Sequence, residues 1–357
     1  MRNKRRKQGM KKVVSIMMVM MLTLALLAGC GKEEATDNAS DNATTDTTTA
    51  AEDTATEDTA TDEATDDEPL YIPIVSKGFQ HQFWQAVKKG AEQAAVDYGV
   101  TITFEGPETE AMVDKQIEMV EAALSKNPDA LCLAALDSKA VIPLIERATE
   151  EGIPVIGFDS GVDSELIAAT AATDNYAASM YAADKMAELI GEEGKIGMVV
   201  HDQTSKTGVD RRDGFKDRIE DKYPNIEIVD IQYGDGDQLK STEVAKAMFT
   251  AHPDLSGFFG SNEGSIVGVL NAIREVGLEG KIVAVGYDSG KAQMDAVREG
   301  VIAGSISQDP IGIGYKAVEA AVKAVNGEEL EENIDTGFVW YDASNIDSED
   351  VFPVLYE

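Results

Sequence analysis

Two Asp-Ser-Gly triplets stand at the ends of apolar runs, Asp159 after residues 154–158 and Asp288 after residues 281–287. A carboxylate in such a place accepts two hydroxyl protons and needs no donor in return. The same triplet also caps a turn or the following helix, so each aspartate carries a ligand-binding and a local reading. Asn262 lies where the run 257–260 passes into a helical pattern. Its amide both donates and accepts, and helix capping by it or by Ser261 is a concurrent role. Gln308 follows the run 302–307, where it either reads hydroxyls or satisfies backbone. Phe83 and Trp84 offer flat apolar faces, but neighbours on one helix do not both turn to the same side, so one of them is a core candidate. Signals of covalent chemistry are missing: there is no GxSxG elbow, and residues 286–291 (GYDSGK) are one residue short of a phosphate loop and run into Ala292 where Ser or Thr is needed. The three histidines, His81, His201 and His252, have no metal-ligand spacing. Neither a metal, a cofactor nor a catalytic set is expected.

These side chains need a scaffold. Beyond Pro69, β-rich apolar runs at residues 71–75, 100–104, 130–134, 154–158, 195–200, 226–231, 257–260, 281–286 and 302–307 alternate with helical periods such as Val113, Ile117, Val120 and Leu124. Strand–helix alternation predicts parallel sheets covered by helices on both sides, with ligands in crevices beyond the carboxyl ends of the strands. About 288 residues, from Leu70 to Glu357, are many for one such sheet. Two halves are expected, the first closing near Thr173-Asp174-Asn175 before a new helix over residues 176–190. Cys132 sits in an apolar run with no partner if Cys30 is modified, so no disulfide is expected.

The chain begins with seven basic residues, Arg2 to Lys12, and an apolar stretch over residues 13–27 that is short for a membrane span. This reads as an export signal, with a plain membrane anchor as the alternative. Leu27-Ala28-Gly29-Cys30 resembles a bacterial lipobox, which implies cleavage before Cys30, a diacylglyceryl group on its thiol, and a site of action on the outer face of the cytoplasmic membrane. Residues 31–68 are almost entirely Asp, Glu, Thr, Ala, Ser and Asn, with nothing to bury, and read as a disordered spacer. As a coil of about 39 residues it spans roughly 35 Å. The chain's formal charge is -34, and removing the leader makes it more acidic, so nucleic acid is no partner.

Seven segments together resemble the type I periplasmic binding proteins, specifically their sugar-binding branch: residues 76–91 (SKGFQHQFWQAVKKGA), 152–161 (GIPVIGFDSG), 172–175 (ATDN), 207–215 (TGVDRRDGF), 257–264 (GFFGSNEG), 284–290 (AVGYDSG) and 301–310 (VIAGSISQDP). The resemblance implies an α/β protein of two Rossmann-like lobes, parallel sheets flanked by helices, and a three-crossover hinge. Beyond the signal peptide (1–29) and the acidic linker (30–69) read above, it divides the chain into an N-terminal lobe (70–173 plus about 309–335) and a C-terminal lobe (174–308 plus about 336–357). It implies stacking by Phe83 and Trp84, and contacts from Asp159, Arg211, Asn262, Asp288 and Gln308 to a monosaccharide's rim hydroxyls; Arg212 reads as a solvated or ion-paired neighbour. Two positions depart from the ribose-binding pattern: Ser160 stands where an arginine is expected and His81 where an amide is expected. Lys77, with Gln80, is close enough in sequence to compensate, so Lys77 and His81 join the candidates.

The expected activity is capture by hinge closure without covalent chemistry, and delivery by a monomeric, lipid-anchored protein to an ABC permease. A receptor-coupled sensor and, further off, a glycoside hydrolase using two of the acids are the alternatives.

Overall fold

Residues 68–356 are described by the computed structural model; the leader, Cys30 and the linker as far as residue 67 lie outside the described residues. From Tyr71 the chain alternates as expected. Strands β1 (Tyr71–Val75), β2 (Thr101–Glu105), β3 (Leu131–Leu133), β4 (Val155–Phe158) and β5 (Ala169–Ala172) are separated by helices α1 (Gln82–Tyr98), α2 (Val113–Leu124) and α3 (Ile142–Glu150). After α4 (Asn175–Ile190) come β6 (Gly194–Val200), α5 (Lys206–Lys222), β7 (Ile226–Tyr233), α6 (Gln238–Ala251), β8 (Leu255–Gly260), α7 (Glu263–Val276), β9 (Val283–Tyr287), α8 (Lys291–Arg298) and β10 (Gly304–Gln308). The chain then adds α9 (Pro310–Val325), β11 (Asn333–Asp335) and β12 (Phe338–Tyr341).

The strands form two sheets, ordered β2-β1-β3-β4-β5-β11 and β7-β6-β8-β9-β10-β12. All neighbours are parallel except β12, which lies antiparallel on β10. The chain therefore passes between sheets three times, after β5, β10 and β11. Two α/β lobes result, and their strand order reverses beside β1 in the first and β6 in the second. Crevices at such reversals, beyond the carboxyl ends of the strands, are where this architecture takes ligands.

Successive strand residues feed different cores, as a sheet covered on both faces requires. In the first lobe Cys132 and Ile156 pack with α1 and α9, while Leu131, Leu133 and Val155 pack with α2 and α3. Cys132 is a free, buried thiol. The α1–α9 contact is close because it is built on glycine: a Cβ at Gly90 would stand 1.9 Å from the Ile311 carbonyl oxygen. The tail divides between the lobes, with Ile346 and Val351 in a core of the second and Tyr356 in a core of the first. No helix among the described residues is long and apolar enough to cross a membrane.

Candidate functional site

Lys77, His81, Phe83, Trp84, Asp159, Arg211, Asn262, Asp288 and Gln308, all nine ligand candidates, line one cavity, and Glu110 joins them. They arrive from strand ends and helix starts of both lobes: Lys77 and His81 from the β1–α1 connection, Asp159 after β4, Asp288 after β9, and Gln308 as the last residue of β10. All are at most 7% exposed. The cavity between these side chains is narrow, about 20 Å³. A wider cleft of about 730 Å³ runs beyond Asp159 past Asp174, Lys206, Asp210 and Asp335. There Asp174 caps α4, and Asp335 accepts the Gly337 and Asp174 N–H groups, so its acids serve the hinge backbone.

Both Asp-Ser-Gly aspartates have left-handed backbones, φ 53° at Asp159 and 78° at Asp288. Asp tolerates that region better than most residues, and the turn directs each carboxylate into the cavity. Asp288 also does local work. Its Oδ2 accepts the Glu263 N–H at 2.9 Å at the start of α7, and its Oδ1 accepts from Gln308 Nε2 at 2.7 Å. Asn262 likewise serves twice, since it borders the cavity while its Oδ1 accepts from Ser265 N at 2.8 Å as the N-cap of α7.

Arg211 is held on every side. Its guanidinium lies 3.7 Å over the Tyr287 ring, Nε donates to Asn175 Oδ1 at 2.7 Å, and Nη1 donates to the Ser261 carbonyl at 3.0 Å, with Asp288 Oδ2 at 3.9 Å. The planar fork is thus fixed before any ligand arrives. Arg212 turns away to pair with Asp213 and Tyr233. Lys77 Nζ donates to Thr207 Oγ1 in the other lobe at 2.9 Å and stands 4.0 Å from Asp159. Burial pushes the Asp159 carboxyl up to about 6, against the pull of Lys77 and Arg211 and with the push of Glu110 and Asp288.

Phe83 and Trp84 both border the cavity, with rings nearly perpendicular at 85° and centroids 5.0 Å apart. Both are also core residues, Trp84 edge-on to Phe158 and Phe83 edge-on to Tyr356, so the expectation that helix neighbours would divide between cavity and core is not met: α1 starts at the cavity's rim and each ring reaches both. Glu110 was not anticipated. It lies on the loop between β2 and α2, and its Oε1 accepts from Trp84 Nε1 at 2.8 Å. Three buried polar atoms around the cavity have no partner among the described residues: His81 Nδ1, Glu110 Oε2 and Gln308 Oε1.

Two α/β lobes that meet around one polar cavity define a two-lobed solute-binding protein. The sequence matches the periplasmic binding protein domain over residues 72–329, and the chain belongs to that family, with the type I fold and similarity to its sugar-binding branch. A D-ribose/D-allose-binding protein of Pseudomonas aeruginosa is 25% identical over 272 residues, 74% of this chain and 85% of the relative. A ribose import binding protein of Bacillus subtilis is 26% identical over 252 residues, covering 71% and 80%. Among solved structures, an ABC transporter solute-binding protein of Agrobacterium vitis with bound D-fucose aligns with TM-score 0.78 and 33% identity, covering 80% of this chain and 100% of its own. A carbohydrate transporter solute-binding protein of Agrobacterium radiobacter in complex with D-arabinose aligns with TM-score 0.78 and 31% identity, covering 80% and 99%.

Proposed function

We propose that this protein captures a neutral monosaccharide or closely related polyol between its lobes, without altering it, and hands it to an ABC importer. The observation that carries the reading is the cavity itself: Asp159, Asp288 and Arg211 face one space with three idle buried polar atoms, and Phe83 and Trp84 supply apolar plates. Rim hydroxyls would pair with the former and C–H faces would lie on the latter. Relatives that bind ribose, allose, fucose and arabinose support the same ligand class.

The binding set is Phe83, Trp84, Asp159, Arg211, Asn262, Asp288 and Gln308, with Lys77 and His81. Ligand enters while the lobes are apart, and the closed pair, residues 70–173 with about 309–335 against residues 174–308 with about 336–357, whose Tyr356 packs back on the first lobe, is the form a permease recognises. A micromolar dissociation constant needs only about 8 kcal/mol, within reach of several charge-assisted hydrogen bonds at roughly 1.5–3 kcal/mol each after ordering costs. The protein is a monomer, anchored outside the cytoplasm through lipid on Cys30.

Thermal-shift screening with D-ribose, D-allose, D-fucose and D-arabinose, followed by titration calorimetry and product analysis, tests the reading. One or more sugars should raise the melting temperature and be recovered unchanged. Turnover, or no response to any sugar or polyol, overturns it. Loss of metabolic palmitate labelling in Cys30→Ala tests the anchor.

A further inference from the structure

We propose that Glu110 is a specificity-determining ligand residue: with His81 it selects neutral sugars that carry a free hydroxyl at their corner of the cavity, and it rejects sugar acids and sugar phosphates. The assignment rests on the sugar-binding reading above.

Glu110 is a carboxylate with one oxygen employed and one idle. Oε1 takes the Trp84 indole proton at 2.8 Å. Oε2 is buried and has no partner among the described residues. It faces the opposite lobe, since a Cβ built on Gly236 would stand 2.9 Å from it and 3.4 Å from Asn262 Nδ2. Any side chain at 236 would therefore crowd this oxygen. Burial pushes the Glu110 carboxyl up, but the Lys77 ammonium, the largest opposing influence, and the Trp84 bond act against it, and the group stands below its ordinary range. The group is ionised and can only accept.

His81 supplies the complementary character. Gln80 Nε2 stands 3.1 Å from His81 Nε2 and can only donate, so in the neutral ring the proton sits on the unpartnered Nδ1. The corner thus offers one acceptor and one donor. Gln80 also braces the arrangement across the lobes: its Oε1 accepts the Glu110 N–H at 3.1 Å, and its Nε2 donates to the Gly236 carbonyl at 3.2 Å. Selection is therefore made as the lobes meet.

A buried charge with an idle lone pair is costly, and a ligand O–H relieves that cost where an aliphatic hydrogen does not. An anionic group fares worse still, because Glu110, Asp159 and Asp288 outnumber Lys77 and Arg211 among the residues that line this space.

The test takes the tightest binder among D-ribose, D-allose, D-fucose and D-arabinose, its monodeoxy analogues, and the acid obtained by oxidising its terminal carbon. Titration calorimetry is run on wild type and on Glu110→Gln, which keeps an acceptor for Trp84 but turns the idle acceptor into a donor. The variant should bind the parent sugar at least tenfold more weakly, and one monodeoxy analogue should bind both proteins equally. On wild type the acid should bind at least 100-fold more weakly than the parent. Equal affinity of both proteins for the parent, or wild type accepting the acid as well as the neutral sugar, overturns the proposal. If the variant misfolds, wild type alone still decides: every monodeoxy analogue binding as tightly as the parent, or the acid doing so, overturns the proposal. Binding of no sugar at all by wild type defeats the sugar reading and this assignment with it, whereas sugar binding indifferent to Glu110 defeats this assignment alone.

Discussion

Lys77 and Thr207 stand on opposite lobes, yet the Lys77 ammonium donates to the Thr207 hydroxyl across 2.9 Å with both side chains buried. Thr207 is itself seated against His201 Nε2 at 3.2 Å, and burial pushes that imidazole down to about 3, so the ring is neutral near pH 7. Other contacts cross the same boundary. Thr204 Oγ1 donates to the Leu136 carbonyl at 3.2 Å, and the Gln82 and Phe83 N–H groups at the start of α1 lie 3.4 and 3.5 Å from the Glu263 carboxylate. His81, the N-cap of α1, makes no side-chain capping bond, so an acid from the other lobe stands where a capping residue would.

Thr207→Val should therefore weaken sugar binding without touching the cavity wall, because Thr207 is not among its lining residues. A hydrogen bond to a charged group contributes about 1.5–3 kcal/mol, and tenfold in affinity is about 1.4 kcal/mol, so a loss of ten- to hundredfold is expected. Small-angle scattering at subsaturating sugar should show a larger mean radius than wild type. Unchanged affinity and radius would show that the contact plays no part in closure.

Arg211→Ala and Asp288→Ala should each weaken binding at least tenfold, since each leaves ligand hydroxyls unpaired. Their effects should combine to less than the sum, because Arg211 Nη1 and Asp288 Oδ2 are only 3.9 Å apart and share surroundings. Arg211→Lys should not restore binding: an ammonium reproduces neither the stack on Tyr287 nor the fork to Asn175 and Ser261. A calorimetric cycle over the two alanine variants and their double checks this, and additive losses would separate the two residues.

Much of this site could be read from the chain because its residues lie at strand ends. Asp159 and Asp288 each follow an apolar run and open a turn, so local pattern alone marks them. Asn262 shows why two readings of one residue need not compete, since a single amide caps α7 and borders the cavity. Glu110 had no such mark. Its loop carries no periodicity, and the bond that reveals it joins residues 26 apart in sequence. Strands β5 (ATAA) and β11 (NID) carry no run of large apolar residues to mark them, and their pairing is decided by the neighbouring strand, whereas β12 (FVWY) is a short apolar run that was overlooked. Tyr356, whose ring lies 6.0 Å from that of Phe83 and whose hydroxyl accepts the Ser289 N–H at 3.2 Å, is placed by tertiary packing alone.

Asp159 should make sugar affinity depend on pH. With its carboxyl pushed up to about 6, chiefly by burial, the group is protonated below that value and ionised above it. A ligand hydroxyl donates to the ionised form, so binding favours deprotonation, and affinity should rise as pH increases from 5 to 7. Binding near pH 6 should release protons, seen as a dependence of calorimetric heat on buffer ionisation enthalpy. Asp159→Asn should lose the release assigned to this group. Glu263, also raised by burial, remains to titrate in that variant. Proton uptake on binding, or release undiminished in Asp159→Asn, would take Asp159 out of this role.

Gly90→Ala tests the packing that carries the first lobe's share of the site. In an isolated helix the change should stabilise by up to about 1 kcal/mol, since glycine is the poorer helix former. Here the sign should reverse. The added Cβ would meet the Ile311 carbonyl oxygen at 1.9 Å, and Gly314 faces the Val87 carbonyl oxygen in the same way at 2.0 Å. Backbone cannot rotate aside as a flexible side chain can, so α1 and α9 must part, at a cost of about 1–3 kcal/mol by analogy with overpacked cores. Because α1 also carries Phe83 and Trp84, the melting temperature and the sugar affinity should fall together. A variant that melts higher than wild type would show that the two helices are not held at this distance.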